Sequence, residues 1–330
     1  MNRLLCLTLA LFLCIPCCFA EEDAALLPLT VAEPVHLIGY LPLYVAIHEG
    51  YFAEEGLDVS VVQATGGAHV TAVVSGDAFA VIGGVDSYNF ANAAGTSDPI
   101  IAICNCVNRA NVYLFARKGL VPGDDMADFL RGRIIIAGRY GGSPNVLTRS
   151  LLVSLGLDPD QDVTLLENSD ASTVTAMLRY GQGDIGNGGE PQISEGVTAG
   201  YFEEPFVAFP DLGDYAYSVI GVKQSSMEND PDTCAAFVRA MLRALETVQT
   251  DRAVAEKVLE VEFPTLTAEG RKAALDRAYE DHLWSAAGFI RQQAVDTCMN
   301  AVRDSGLFDG DWDYAKMVDM RFVSNDSDSN

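Results

Sequence analysis

The feature that most restricts this fold is an order of elements that occurs twice. From Val35 the chain reads as an apolar strand (VHLIGY), a helix starting at Pro42, a strand (LDVSVVQA), a helix over about 67–75 and a strand (FAVIGG). Alternation of this kind predicts a parallel sheet covered by helices, because parallel neighbours need a crossover between them. Pro42 suits a first helical turn, where its missing N–H has no partner to lose. Leu43, Ala46, Ile47 and Gly50 then fall at i, i+3, i+4 and i+7, giving one face to lie on the sheet. The same order returns as RIIIAG (133–138), a helix after GGSPN, the strand DVTLLE, a helix over STVTAMLRYG and the strand DIGNGG. Leu57 and Leu157 each follow a helix-ending glycine, and Gly76-Asp77 is matched by Gly183-Asp184. The expectation is an α/β chain of two similar lobes, each a mainly parallel sheet flanked by helices.

Two strand-like stretches, PIIAICNCVNRANVYLFARKG and PFVAFPDLGDYAYSVIGVK, are placed to cross between the lobes and serve as a two-strand hinge. Beyond Asn229 the pattern is helical, with good helix starts at Asp230 and Thr267. Packed on the first lobe, these helices bring the chain back. Lobe 1 is then 34–117 plus 215–320, lobe 2 is 118–214, and the polar residues 321–330 form a flexible tail.

The first twenty residues carry Arg3, an apolar run from Leu4 to Ile15, Pro16, and the small residues Cys18 and Ala20 before Glu21. That is the layout of a secretory leader cut after Ala20, and later apolar stretches are too short to span a bilayer. The protein is therefore expected outside the cytoplasm, periplasmic or at the extracellular face; Pro16 argues against lipid attachment at Cys17 or Cys18. With 21 basic against 46 acidic residues, a net charge of −25, the chain repels phosphate backbones, so nucleic acid is not an expected partner. Four cysteines follow the leader. Cys104 and Cys106 share one strand face, awkward for bonding to each other; Cys234 and Cys298 are a possible disulfide, with buried free thiols the alternative.

PLYVAIHEGYFAEEGLDVSVV (42–62), followed by GG and VVSGDAFAVIGG, resembles the opening of solute-binding proteins of ABC importers, in the family that takes nitrate, sulfonates, taurine and thiamine-pyrimidine precursors. GGSPN, SLGL and LRYGQGDIGNGGEP resemble its second-lobe pieces, and the likeness runs over about 34–320. It implies the type II periplasmic-binding fold, closing as a monomer around a small solute that a membrane permease then takes.

Open parallel sheets bind ligands at the carboxyl ends of their strands. In lobe 1 that rule selects Tyr40, Leu41 and Pro42 after the first strand, Gly66 and Gly67 before the second helix, and Gly84, Val85 and Asp86 after the third strand, with Tyr88 beside them. In lobe 2 it selects Arg139, Tyr140, the turn Gly141-Gly142-Ser143, Asn145, Asn187 and Glu190. Asn108 and Arg109 lie near one crossover, Tyr215 and Tyr217 near the other. Glycines at helix starts let an anion reach free N–H groups, and Glu190 in the cleft would favour a solute with an amine, amidine or ring N–H. The solute is then a small anionic or zwitterionic organic molecule, sulfonate-like, taurine-like or pyrimidine-like. Each residue also has a plainer reading: tight turn, helix cap, or surface ion pair between Arg139 and Glu190.

No cofactor or metal is expected. GQGDIG (181–186) follows a helix and precedes a strand, the reverse of a dinucleotide loop, and His48-Glu49 lacks the second histidine of a zinc motif because Phe52 stands there. Two alternatives remain open. One is an enzyme of the thiamine-pyrimidine-synthesis type, for which His69 is the only histidine near the site; the other is a receptor feeding a sensor.

Overall fold

The computed structural model describes residues 25–167, 170 and 173–323. The leader expected at 1–20 and residues 324–330 of the expected tail lie outside them. The first stretch runs β1 (Leu27–Glu33), α1 (Leu41–His48), α2 (Tyr51–Glu54), β2 (Leu57–Gln63), α3 (Ala68–Ser75), β3 (Ala80–Gly83), α4 (Val85–Ala93) and β4 (Ile100–Val107). The second runs β5 (Tyr113–Ala116), α5 (Met126–Leu130), β6 (Ile134–Ile136), α6 (Ser143–Ser154), β7 (Thr164–Leu166), α7 (Val174–Arg179), β8 (Ile185–Gly188), α8 (Gln192–Thr198) and β9 (Val207–Ala208). The third runs β10 (Ser218–Lys223), α9 (Gln224–Asn229), α10 (Pro231–Thr250), α11 (Arg252–Glu262), α12 (Ala268–Glu280), α13 (Gln292–Asp304) and α14 (Tyr314–Met317).

Two five-stranded sheets result, ordered β2-β1-β3-β10-β4 and β7-β6-β8-β5-β9. In each, three parallel strands stand in the same order, β2-β1-β3 matching β7-β6-β8, and an antiparallel strand closes their flank. The repeat read from the sequence is therefore a repeat of topology. β4 is buried along its whole length, which explains why apolar residues fill every position but Asn105 in place of an alternating pattern. Asp230 and Thr267 cap α10 and α12, their side chains accepting from the N–H groups of Thr233 and Gly270 at 3.3 and 3.0 Å.

Several expectations need correction. The first strand is Leu27–Glu33, not VHLIGY; Pro34 ends it, and Ile38–Tyr40 form a single 3-10 turn leading into α1. β1 is nevertheless a paired interior strand, in register with β2 from Leu27↔Leu57 to Glu33↔Gln63. Pro28 sits one residue from its start, where the missing donor is tolerated. β5 belongs to the second sheet, so the first crossover lies at 108–112 and not after 117. The helical third stretch does not stay on lobe 1: α10 and α11 pack on α1, whereas α12 packs on α8 and α13 on α6. The chain is also ordered past 320. Val318 bridges to Ala102, and Val323 is buried. Finally, all four described cysteines are free and buried, so the Cys234–Cys298 bridge does not form. Cys298 lies instead beside Tyr215 and Asp86, and Cys234 near Asp230 at the start of α10.

Candidate functional site

A cavity lies between the two sheets, at the carboxyl ends of β1, β3, β6 and β8. Its volume is about 120 Å³, counted as room for the centres of water-sized spheres. One water needs roughly 10–15 Å³ on that measure, so the space suits a small organic solute. Both lobes contribute walls: Tyr40, Gly66, Gly67, His69 and Gly84 from one, Arg139, Gly142, Ser143 and Asn187 from the other. The first crossover adds Asn111 and Val112, and the second adds Tyr217 and Ser218.

Three helices begin at this cavity. α3 starts after Gly66-Gly67, both with positive φ, which a side chain would strain. α4 starts after Gly84 and α6 after Gly142. Among the described residues no backbone carbonyl accepts from the N–H groups of Gly66 and Gly67. Opposite them stands Arg139. A Cβ on Gly67 would lie 3.8 Å from its guanidinium carbon, and its one hydrogen bond runs to the Tyr140 carbonyl at 3.2 Å. No carboxylate among the described residues pairs with it.

His69 is 4% exposed, and its Nδ1 has no hydrogen-bond partner among the described residues. Burial, and then the nearby Arg139 charge, lower its pKa to about 4, so the ring is neutral at neutral pH. Asn187 is 2% exposed. Its amide nitrogen donates to the Pro144 carbonyl (2.8 Å) and to the Thr148 hydroxyl, which fixes its orientation and leaves Oδ1 as a buried acceptor without a partner among the described residues. Burial likewise raises the Tyr40 pKa, keeping its phenol protonated.

Behind the wall the lobes are joined directly. Asp86, fully buried in the first turn of α4, accepts the Ser143 hydroxyl on both carboxylate oxygens at 3.0 and 3.1 Å and the Ser87 N–H at 2.8 Å. Burial raises its pKa, opposed by those bonds and by Arg139.

Of the residues selected from the sequence, Tyr40, Gly66, Gly67, Gly84, Arg139, Ser143 and Asn187 line the cavity. Leu41, Pro42 and Val85 are buried in the first turns of α1 and α4 and face the core. Asp86 is behind the wall. Arg109 pairs with Asp214, Tyr140 is exposed and lies against Arg149, and Asn145 is buried with its amide on Glu167. Tyr215 is buried beside Cys298. Glu190 is turned away from the cleft, where Ser194 and Arg277 of α12 donate to it, the latter at 2.7 Å; Arg139 is therefore not its partner. Sequence reasoning missed Leu37, Asn111 and Gln192 of the lining. Asn111 follows a strand end that was placed too late in the chain, so only a correct boundary for β4 would have pointed to it.

A family model described as NMT1/THI5 like matches residues 38–253. The putative binding protein YtlA of Bacillus subtilis (strain 168) is 27% identical over 331 residues, covering 98% of both chains. The riboflavin-binding protein RibY of Chloroflexus aurantiacus is 30% identical over 218 residues, 63% of this chain and 58% of that one. Among solved structures, the alkanesulfonate-binding protein SsuA of Xanthomonas axonopodis pv. citri, bound to MOPS, superposes with a TM-score of 0.73 at 16% identity, over 89% of this chain and 98% of that one. With two lobes, a cavity between them and a family model matched over most of its length, the chain belongs to the NMT1/THI5-like family and has the periplasmic-binding-protein fold.

Proposed function

We propose that this chain is an exported solute-binding protein that captures a small anionic or zwitterionic organic solute between its lobes and delivers it to an ABC permease. The observation that carries the reading is Arg139: a cation that no carboxylate among the described residues pairs, beside the Gly66-Gly67 turn whose N–H groups have no backbone acceptor among those residues, inside a cavity that both lobes wall. An oxyanion placed there meets a guanidinium fork and a helix start together. The names of YtlA, RibY and SsuA as binding proteins support it. No helix among the described residues is long and apolar enough to cross a membrane, in keeping with a partner that does the crossing.

A binding role fits better than catalysis. The thiols are buried with raised pKa values, Cys104 to about 12 and Cys234 to about 11, which suppresses the thiolate a nucleophile needs. The test is thermal unfolding of residues 21–330 against taurine, alkane and aromatic sulfonates, nitrate, aminopyrimidines and riboflavin-like rings. A ligand at about 100 times its dissociation constant adds about 2.7 kcal/mol of stability, a clear upward shift in melting temperature. Arg139→Ala is expected to weaken the responding ligand about tenfold or more while leaving the ligand-free melting temperature unchanged. Unchanged affinity in that variant overturns the assignment of Arg139.

A further inference from the structure

Asp86 stands where the sequence rule expects a ligand contact, yet it touches no cavity space. Its carboxylate lies between the starts of α4 and α6, held by Ser143 Oγ from the opposite lobe and by the Ser87 N–H. The positive ends of two helices that open on the cavity thus already face an anion supplied by the protein. A Cβ on Gly84 would lie 2.1 Å from Asp86 Oδ1 and 2.6 Å from Ser143 Oγ, so the carboxylate stands directly behind the lining residues Gly84 and Ser143. The groups around Asp86 are Arg139, Ser143, Ser87, Tyr215, Tyr217 and Cys298, of which Arg139 alone is a cation.

A second, independent observation comes from the same side of the cavity. Asn187 is bonded through its amide nitrogen to Pro144 of α6, and its Oδ1 is buried without a partner. A buried acceptor in that state is costly unless something donates to it. Arg139 stands between the helix starts, its guanidinium 3.7 Å from where a Cβ on Gly142 would lie and 3.8 Å from one on Gly67; beyond it is the α3 start, whose Gly66 and Gly67 N–H groups have no backbone acceptor among the described residues.

We infer that Asp86 is the charge-selecting residue of the cleft. It excludes a second anion from the α4 start, so that a bound solute turns its one anionic group to Arg139 and Gly66-Gly67 and a hydrogen-bond donor to Asn187. The solute class is thereby narrowed to bipolar molecules, an oxyanion at one end and an N–H or ammonium donor at the other. This rests on the solute-binding reading and names the ligand chemistry within it.

The probe is inorganic sulfate, titrated calorimetrically at constant ionic strength into wild type, Asp86→Asn, Asp86→Ser and Asp58→Asn, the last an exposed carboxylate of β2 outside the lining. Asparagine removes the charge and keeps one carbonyl acceptor, its amide nitrogen standing where the second oxygen was. Sulfate is expected to bind Asp86→Asn at least tenfold tighter than wild type, and Asp86→Ser, which also removes the charge, is expected to gain likewise should the asparagine variant not fold. Asp58→Asn, which removes the same charge away from the cavity, is expected to stay at the wild-type level. No gain in either Asp86 variant, or an equal gain in Asp58→Asn, overturns the assignment. The outcome is independent of the transport reading: if the solute panel is silent and Asp86→Asn still gains sulfate affinity, charge selection stands and only the proposed function falls.

Discussion

Gly84 shows how tightly single atoms are placed at the cleft. Its φ of −69° is one that any residue adopts, so the demand for glycine there is for space. Gly84→Ala would drive its methyl group into the Asp86 carboxylate and the Ser143 hydroxyl. It is expected to lower stability by about 1–3 kcal/mol, the usual range for overpacking, and this is read from the denaturant midpoint. His36 offers a pH-dependent case. It lies between Glu33 (2.9 Å) and Glu262 (3.2 Å), and although burial alone would depress its pKa, hydrogen bonds to the two carboxylates raise it to about 9. A folded-state pKa above the unfolded 6.5 means that the stabilisation is complete below pH 6.5 and fades as pH rises to about 9. His36→Gln is expected to cost about 1–2 kcal/mol at pH 6, after allowance for solvent screening, and to flatten that alkaline limb in a series of urea titrations. Arg139, Ser143 and Asn187 were readable as cleft residues because the strand-end rule needs only an approximate strand boundary. Glu190 was not: its partner Arg277 is 87 residues away, and nothing local announces it.

The α8–α12 pair is an element-scale bond between the lobes. Arg277 of α12 donates to Glu190 before α8 and to Glu204 beyond it, and Glu195 of α8 accepts from Thr267 at the start of α12. Arg277→Ala leaves the fully buried Glu190 carboxylate without its cation. A loss of about 3–5 kcal/mol is expected in the denaturant midpoint, with Glu190→Gln/Arg277→Ala milder than Arg277→Ala alone. Burial already holds the Glu190 pKa above its ordinary value, so its contribution to stability declines as pH rises above about 4.5. In Arg277→Ala that decline should extend to higher pH. Helices were the legible elements, since i, i+3, i+4 spacing and Asp or Thr caps mark them directly. β1 was the illegible one: LPLTVAE is short, carries a proline and follows closely on the segment expected to be a leader, and its place in the sheet is set by pairing with a strand 30 residues on. Propensity cannot report that.

For the molecule as a whole, the four described thiols set a test of compartment against structure. All are buried and free, so an oxidising surrounding has no accessible sulfur to act on. Intact mass of residues 21–330 is expected to be the same with and without reductant, and thiol reagents are expected to label the chain only after unfolding. A 2 Da rise on reduction would show a bridge. The two-lobed α/β plan was readable because the sequence prints the same topology twice, whereas the reach of α12 and α13 onto the second lobe was not, as amphipathic faces do not name their partners.

The partner relation of β4 and β10 carries one more consequence. Val107, the last residue of β4, is in register with Ser218, the first of β10, so the chain leaves the first sheet and re-enters it at one pair of facing residues. Everything between is an insertion in a split host. During synthesis the second sheet has all of its strands before the first sheet receives its fifth, and a lobe anchored at adjacent points can be exchanged for a homologous one by two cuts. Evolution could thus recombine the half that carries Arg139 and Asn187 without re-registering a strand of the half that carries Asp86.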